Sequence, residues 1–202
     1  MPGLNPKVVV HCLVVKMGTR PIKWGHRRFQ PELVPSIEDE VNRLIDVGFI
    51  PEVLFPTWLS NIVPVRKKNE QIRVCLDLTN LNHAFPKDDF LLPIPKLMID
   101  ATTGHEALTF MDGSSGYYQT RMAPTDKELT AFITPKGVYY YKAMQFGLKN
   151  ARETYQRAIQ NIFDNMLHKN VECYVDDLVV KSLKRVNHPQ DLRVVFERLR
   201  RY

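Results

Sequence analysis

Val171-Glu172-Cys173-Tyr174-Val175-Asp176-Asp177-Leu178-Val179-Val180-Lys181 sets two short β-forming runs on either side of an acidic tip. Residues 171–174 and 178–181 read as strands joined by a tight Val175-Asp176-Asp177 turn. Two adjacent carboxylates at a hairpin tip repel each other, whereas short hairpin turns favour Asn-Gly or Asp-Gly. Two readings stay open for this tip: a solvated loop, or a site whose repulsion a cation relieves.

Leu108-Thr109-Phe110-Met111 is a second short apolar strand, and it ends on Asp112. Alone, Asp112 reads equally well as the N-cap of a following helical turn. Together with Asp176, 64 residues further on, it predicts two strand-end acidic sites that converge on one sheet edge. Hard oxygen ligands suit Mg²⁺, which takes one or two carboxylates plus substrate phosphates. Two such ions about 4 Å apart stabilise both the attacking and the leaving oxygens of an in-line phosphoryl displacement.

The flanking sequence predicts the scaffold. Ser36–Gly48 is a helix, with a capping box at Ser36 and Asp39, Ile37, Val41, Leu44 and Ile45 on one face, and Gly48 at its end. Asn61–Val65 and Ile72–Leu76 are strands joined by the polar turn 66–70. Pro86, Pro93 and Pro95 mark an extended segment before a short helix at Lys96–Ala101. Ala131–Thr134 and Val138–Lys142 form a hairpin across Pro135-Lys136-Gly137. Asn150–His168 is a helix that buries Tyr155, Ile159, Ile162, Phe163 and Met166. A last helix opens at His188-Pro189 with Leu192, Val195, Phe196 and Leu199 inward. The mixture is α+β, an antiparallel sheet with helices packed on one face.

Residues 1–34 read as an irregular arm with basic residues at Arg20, Lys23, His26, Arg27 and Arg28, either a solvated linker or a phosphate contact. The 202 residues hold 28 Lys and Arg against 22 Asp and Glu, a net charge of +6 that favours a polyanionic partner. Cys12, Cys75 and Cys173 form no CxxC pair, which argues against a disulfide framework or a zinc site and for a reducing, intracellular setting. No apolar run is long enough for a membrane span, and no membrane partner is expected. Val8–Val15 after Lys7 is interrupted by His11 and Cys12 and reads as a strand or extended arm, not a signal peptide.

At this point the blocks in order become diagnostic: Trp58-Leu-Ser-Asn-Ile-Val-Pro-Val65, Phe110-Met-Asp-Gly-Ser-Ser-Gly-Tyr117, Thr130-Ala-Phe-Ile-Thr134, Phe146-Gly-Leu-Lys-Asn-Ala151 and Tyr174-Val-Asp-Asp177. The sequence resembles the reverse transcriptase of gypsy-type LTR retrotransposons, especially the plant lineages, from about Pro31 to Tyr202. That resemblance implies a right-hand polymerase, with an arm at 1–34 and fingers and palm at 35–202. It implies RNA-directed DNA synthesis, in which dNTPs are added to a primer on an RNA or DNA template with two Mg²⁺ ions, Mn²⁺ being a possible substitute.

Carried over residue by residue, Asp112 and Asp176 would bridge both metals and Asp177 would take a lesser share. Tyr117 matches the position whose ring lies under the deoxyribose and excludes a 2′-hydroxyl, although an ordinary half-buried aromatic fits the local sequence too. Arg73 with Lys67 or Lys68 matches the cations on the triphosphate, and Phe146 and Gly147 match the segment beside the nucleotide. Asn82, Tyr174 and Arg157 match nucleic-acid contacts. The parent element would carry protease, RNase H and integrase domains and would reverse-transcribe in cytoplasmic particles.

The match departs from the pattern at Asp77-Leu78-Thr79 (usually Asp, an aromatic, Arg) and at Gln145 (usually Pro). Arg152 and Glu153 stand where Gly or Pro and then Ala are usual, and Tyr118 and Thr120 replace Asn and an aliphatic residue. The sequence runs only 25 residues past Asp177, which leaves a thumb, connection and RNase H outside it. A thumbless chain is expected to be a distributive polymerase at best, and a catalytically inactive relic that still binds nucleic acid is the competing expectation.

Overall fold

The computed structural model describes residues 3–67, 71–113 and 116–202. In chain order its regular elements are β1 (Val10–His11), α1 (Val34–Asp46), β2 (Ser60–Arg66), β3 (Ile72–Leu76), α2 (Thr79–Ala84) and α3 (Pro95–Asp100). There follow β4 (Ala107–Asp112), α4 (Gly116–Gln119), β5 (Arg121–Met122), β6 (Phe132–Thr134) and β7 (Gly137–Tyr139). α5 (Ala151–Phe163), β8 (Val171–Tyr174), β9 (Asp177–Ser182) and α6 (His188–Arg201) complete the chain. They divide into two compact units, residues 1–10, 88–120 and 150–202 forming one, and 11–87 with 121–149 the other.

The first unit is built on the antiparallel sheet β4-β9-β8. Successive side chains of a strand point to opposite faces, so the register sorts them. Ala107, Thr109 and Met111 share a face with Leu178, Val180, Ser182, Val171 and Cys173. Two helices pack there. Gln156 of α5 hydrogen-bonds Cys173, and His188 of α6 bonds Thr109 at 2.7 Å and Ser182 at 2.8 Å. On the other face Asp112, Phe110 and Leu108 line up with Asp177, Val179, Lys181, Tyr174 and Glu172. The end of α3 reaches the far end of that face, where buried Lys181 pairs with buried Glu172 at 2.8 Å and donates to the Ala101 carbonyl. Its nearer end is open, and Phe110 is 72% exposed.

The second unit carries the mixed sheet β3-β2-β6-β7, in which β2 and β6 run parallel and the other pairs antiparallel. Its core holds Ile37, Val41, Ile62, Leu81, Phe85, Phe132, Tyr141 and Met144. A stretch of the expected arm belongs to it: Leu13 donates its N–H to Asp126 at 2.6 Å, and Lys16 donates to the Ala84 carbonyl.

Several expected elements shift. α1 starts at Val34 and uses Pro35 in its first turn, so Ser36 and Asp39 lie inside it and form no capping box. Pro's fixed φ suits the first helical turn, and the preceding 3₁₀ turn Pro31–Leu33 leads the chain in. Ile45 is only half-buried. α2 forms where no helix was expected. α5 stops at Phe163 rather than His168, because Met166 and Leu167 both turn back onto the Phe163 carbonyl and His168 takes φ 62° to enter β8, which leaves Met166 only partly covered. β7 ends at Tyr139, and Gly137 pairs with Thr134, so the turn is Pro135-Lys136 alone. In α6 only Val195 is buried, while Phe196 and Leu199 are 44% and 39% exposed. The apolar stripe of α6 is wider than the strand surface it covers.

Candidate active site

Three strand ends put Asp112, Asp177 and Tyr174 in one row: Asp112 is the Cα partner of Asp177, and Asp177 is the partner of Tyr174. Residues directly opposite each other in an antiparallel pair have Cβ atoms about 5 Å apart, close enough for two carboxylates to share a cation. Asp177 therefore belongs to β9 rather than to the turn, which shortens to Val175-Asp176. The Gly113 N–H, just past Asp112, donates to the Asp176 carbonyl at 2.6 Å, which ties the end of β4 to that turn.

Val175 holds the turn at φ 51°, a left-handed conformation that β-branched residues rarely adopt. What holds it there is Gln156, fully buried on α5. The Gln156 side chain accepts the Val175 N–H at 2.6 Å and donates to the Cys173 carbonyl at 3.1 Å. One amide thus clamps the backbone on both sides of Tyr174. Sequence reading passed over Gln156; the only signal was a polar residue on the apolar face of a predicted helix.

The tip is electrostatically frustrated. Asp176 Oδ1 is buried with no hydrogen-bond partner. Burial first, then the charges of Asp112 and Asp177, hold the Asp176 carboxyl above the usual carboxylate range, against the opposing Arg152 cation. An orphaned buried carboxylate oxygen beside two further acids is the donor set that a hard divalent ion fits. Among the described residues, no three His, Cys, Asp or Glu side chains close into a metal cage by themselves. Mg²⁺ sites shared with substrate phosphates need no such cage.

Tyr117 stands beside this tip in the same unit. It is buried, and its ring tilts against Tyr155 of α5 at 5.6 Å between centroids. Tyr155 in turn needs the glycines that precede Tyr117. A Cβ on Gly116 would meet the Tyr155 ring at 2.4 Å, and one on Gly113 would meet its hydroxyl at 2.9 Å. Burial and the Asp176 charge push both tyrosine hydroxyls up to about 12, so both stay neutral at physiological pH. The Arg152 charge opposes that rise at Tyr117. Arg157, by contrast, is committed to Asp88 at 2.9 Å and lies over the Phe90 ring.

The second unit gathers another set of expected residues. The Arg73 guanidinium lies over the Phe146 ring, 5.9 Å from its centroid. Gly147 adopts φ 94°, which explains glycine there. Asn82 donates to the Gly147 carbonyl at 2.7 Å and accepts the Lys149 N–H at 2.9 Å. Both ends of its amide hold that loop. Lys67 is exposed at the end of β2, its N–H bonded to the Gln71 carbonyl. Lys68 lies outside the described residues.

Residues 65–202 match the family described as reverse transcriptase (RNA-dependent DNA polymerase). The chain belongs to that family. It is a reverse transcriptase domain of the kind found in retrotransposon Pol polyproteins. It is 29% identical over 168 residues to the retrovirus-related Pol polyprotein from transposon 297 of Drosophila melanogaster, which covers 81% of this chain and 16% of the polyprotein. It is 27% identical over 173 residues to the Tf2-3 transposon polyprotein of Schizosaccharomyces pombe, 84% of this chain and 13% of that one. The chain therefore spans a small fraction of the curated relatives it matches. In fold it is similar to the prototype foamy virus protease-reverse transcriptase, with a TM-score of 0.80 at 22% identity over 95% of this chain and 25% of the viral one. The foamy viral protease-reverse transcriptase in complex with RNA/DNA hybrid gives 0.79 at 19% identity, over 93% of this chain and 25% of that one.

Proposed function

We propose that this chain is the RNA-directed DNA polymerase region of a gypsy-type, plant-like LTR element, with its arm at 1–34 and fingers and palm at 35–202. The observation that carries the reading is the row Asp112-Asp177-Tyr174 with the orphaned Asp176 oxygen beside it. Asp112 and Asp176 would hold two Mg²⁺ ions, with Asp177 in a lesser share. When bound, the ions supply charge neutralisation at the attacking and leaving oxygens of a phosphoryl transfer.

The chain's own residues do the positioning. Gln156 fixes the backbone that presents Asp176, and Gly113 ties that backbone to Asp112. Tyr117 gives the deoxyribose a flat wall that a ribose 2′-hydroxyl would strike. Lys67, Lys68 and Arg73 would serve as the cations on the triphosphate, where fixed positive charge stabilises developing negative charge. Phe146 and Gly147 would lie beside the nucleotide, and Asn82, Tyr174 and Arg157 would meet the nucleic acid. Asn82 and Arg157 are bonded within their own units, so their role is to shape the contact surface. The substrates are dNTPs on a primed RNA or DNA template, and protease, RNase H and integrase accompany the domain in its parent polyprotein, in a cytoplasmic particle.

The test is primer extension on poly(rA)/oligo(dT) with Mg²⁺ or Mn²⁺, using this chain and a version continued through a thumb. Extension that Asp112→Asn abolishes supports the reading. No extension by the longer version, or undiminished extension by Asp112→Asn, overturns it.

A further inference from the structure

Tyr117 sits on α4, a single turn of four residues, and its ring is only as fixed as that turn. One isolated turn has little stiffness of its own, so contacts from outside must hold it. At the exit of α4 the main chain does this, since the Leu4 N–H donates to the Gln119 carbonyl at 2.8 Å. At its entry the Gly116 N–H closes back on the Gly113 carbonyl at 2.6 Å, and neither glycine has a side chain to pack. The ring of Tyr155, buried on α5, fills that space. It lies against the Tyr117 ring with centroids 5.6 Å apart and planes at 44°. A Cβ on Gly116 would run into Cε2, Cζ and Oη of Tyr155, and one on Gly113 would meet its hydroxyl at 2.9 Å. Neither glycine has a left-handed φ, so backbone conformation does not call for glycine there. The close approach of the Tyr155 ring does.

We infer that Tyr155 is a specificity-determining positioning residue, whose ring, seated over Gly116, backs the Tyr117 ring and sets how much room the sugar wall leaves for a 2′-hydroxyl. The inference rests on the polymerase reading above and deepens it. The selectivity is divided between the ring that would meet the sugar and the ring behind it. Tilted aromatic pairs hold a preferred offset, which an aliphatic side chain of similar bulk does not impose. A Tyr117 ring without that backing can swing away about its Cα–Cβ bond, and the wall retreats from the sugar. Tyr155 also precedes Gln156, whose amide accepts the Val175 N–H at 2.6 Å. One helix, α5, therefore sets the wall and the acidic tip in a single register.

Two measurements test it. On the 202-residue chain, Gly116→Ala is read by thermal melting without metal, in the parent and in Tyr155→Leu. Leucine ends short of Cε2, Cζ and Oη, the atoms that the new methyl group would meet. Gly116→Ala is expected to lower the melting temperature by several degrees in the parent and to change it little in Tyr155→Leu. Equal shifts in the two backgrounds mean that the ring is not seated over Gly116 and overturn the inference. In the version continued through a thumb, single-nucleotide incorporation compares rUTP with dTTP. Tyr155→Leu is expected to lower the preference for dTTP by up to about tenfold, the upper worth of one aromatic pair. Tyr155→Phe, which keeps the ring, should retain the preference. Gly116→Ala, which displaces the ring without deleting it, should lower it as leucine does, and it carries the test where Tyr155→Leu does not fold. A merely structural loss slows both nucleotides alike and leaves the ratio where it was. An unchanged ratio in Tyr155→Leu and Gly116→Ala, with a lowered ratio in Tyr117→Ala, sinks the Tyr155 assignment alone. An unchanged ratio in Tyr117→Ala sinks the sugar-wall reading itself, and the Tyr155 role with it.

Discussion

The acidic hairpin of the first unit and the Phe146-Gly147 loop of the second are both short turns that present expected site residues, but they are held in opposite ways. In the loop, left-handed backbone falls on a glycine, and one asparagine satisfies both of the backbone groups beside it. In the hairpin, left-handed backbone falls on Val175, and three acids crowd a tip where one carboxylate oxygen has no partner. The loop is at rest as it stands. The hairpin stores strain, which its clamp balances, and charge repulsion, which a bound cation would relieve. Regions of the second sort are where chemistry is expected, because strain and frustrated charge persist only when the surrounding structure over-determines them.

The largest effect belongs to Asp176→Asn, which removes a negative charge and nearly preserves shape. Nucleotide addition is expected to vanish in a version continued through a thumb. Metal-free stability should stay unchanged or rise, and the direction with pH follows from linkage. A carboxyl held above its ordinary range binds its proton more tightly folded than unfolded, so it costs stability as pH rises through that range. The asparagine variant should therefore gain on the parent at neutral pH and lose that gain in acid below the ordinary carboxylate range. Melting curves in EDTA at the two pH values check this. An Asp176→Asn protein that melts lower but still extends primers would make Asp176 a structural cap.

The two clamps themselves make a matched pair. Gln156→Ala leaves the Val175 N–H and the Cys173 carbonyl unpaired in the interior, which should cost about 1–3 kcal/mol. Asn82→Ala frees the Gly147 carbonyl and the Lys149 N–H where water can reach them, which should cost about 0.5–1.5 kcal/mol. Denaturant unfolding ranks them. Primer extension should separate them further, with Gln156→Ala lowering turnover and Asn82→Ala mainly raising the dNTP concentration required. Equal losses in both measurements would mean that the hairpin is no more strained than the loop.

Sequence reading found the acids and the strands that bear them, because a charge at the end of an apolar β run is a strong local signal. The register that sets Asp112 opposite Asp177 was not legible, since it depends on 64 residues of intervening chain closing to one alignment. The role of Gln156 was hidden for a different reason. Helical periodicity marks which face is buried, and a buried amide on that face reads as an interruption until the backbone groups it serves are located. Arg152 stood out only as a departure from the family pattern. The apolar stripe of α6 shows the opposite error, where periodicity was plain and the covering surface was narrower than it implied.

The smallest effect carries the finest test of strain. Val175→Gly and Val180→Gly delete the same atoms from two positions that are both buried. At Val180, in the middle of β9, the change removes a packed side chain and adds chain entropy, and it should cost roughly 3 kcal/mol. At Val175 the burial term is similar in sign. However, glycine takes φ 51° freely, and relief of a left-handed β-branched residue returns about 1–2 kcal/mol. The net change at Val175 should therefore lie within about 1 kcal/mol of zero by urea unfolding. Activity should not follow stability. A glycine turn samples conformations that Val175 and Gln156 together exclude, so Asp176 would be presented correctly for only a fraction of the time and primer extension should fall. If Val175→Gly costs as much as Val180→Gly, the left-handed backbone at the tip is not strained. If it costs nothing and extension is undiminished, the strain has no role in presenting Asp176.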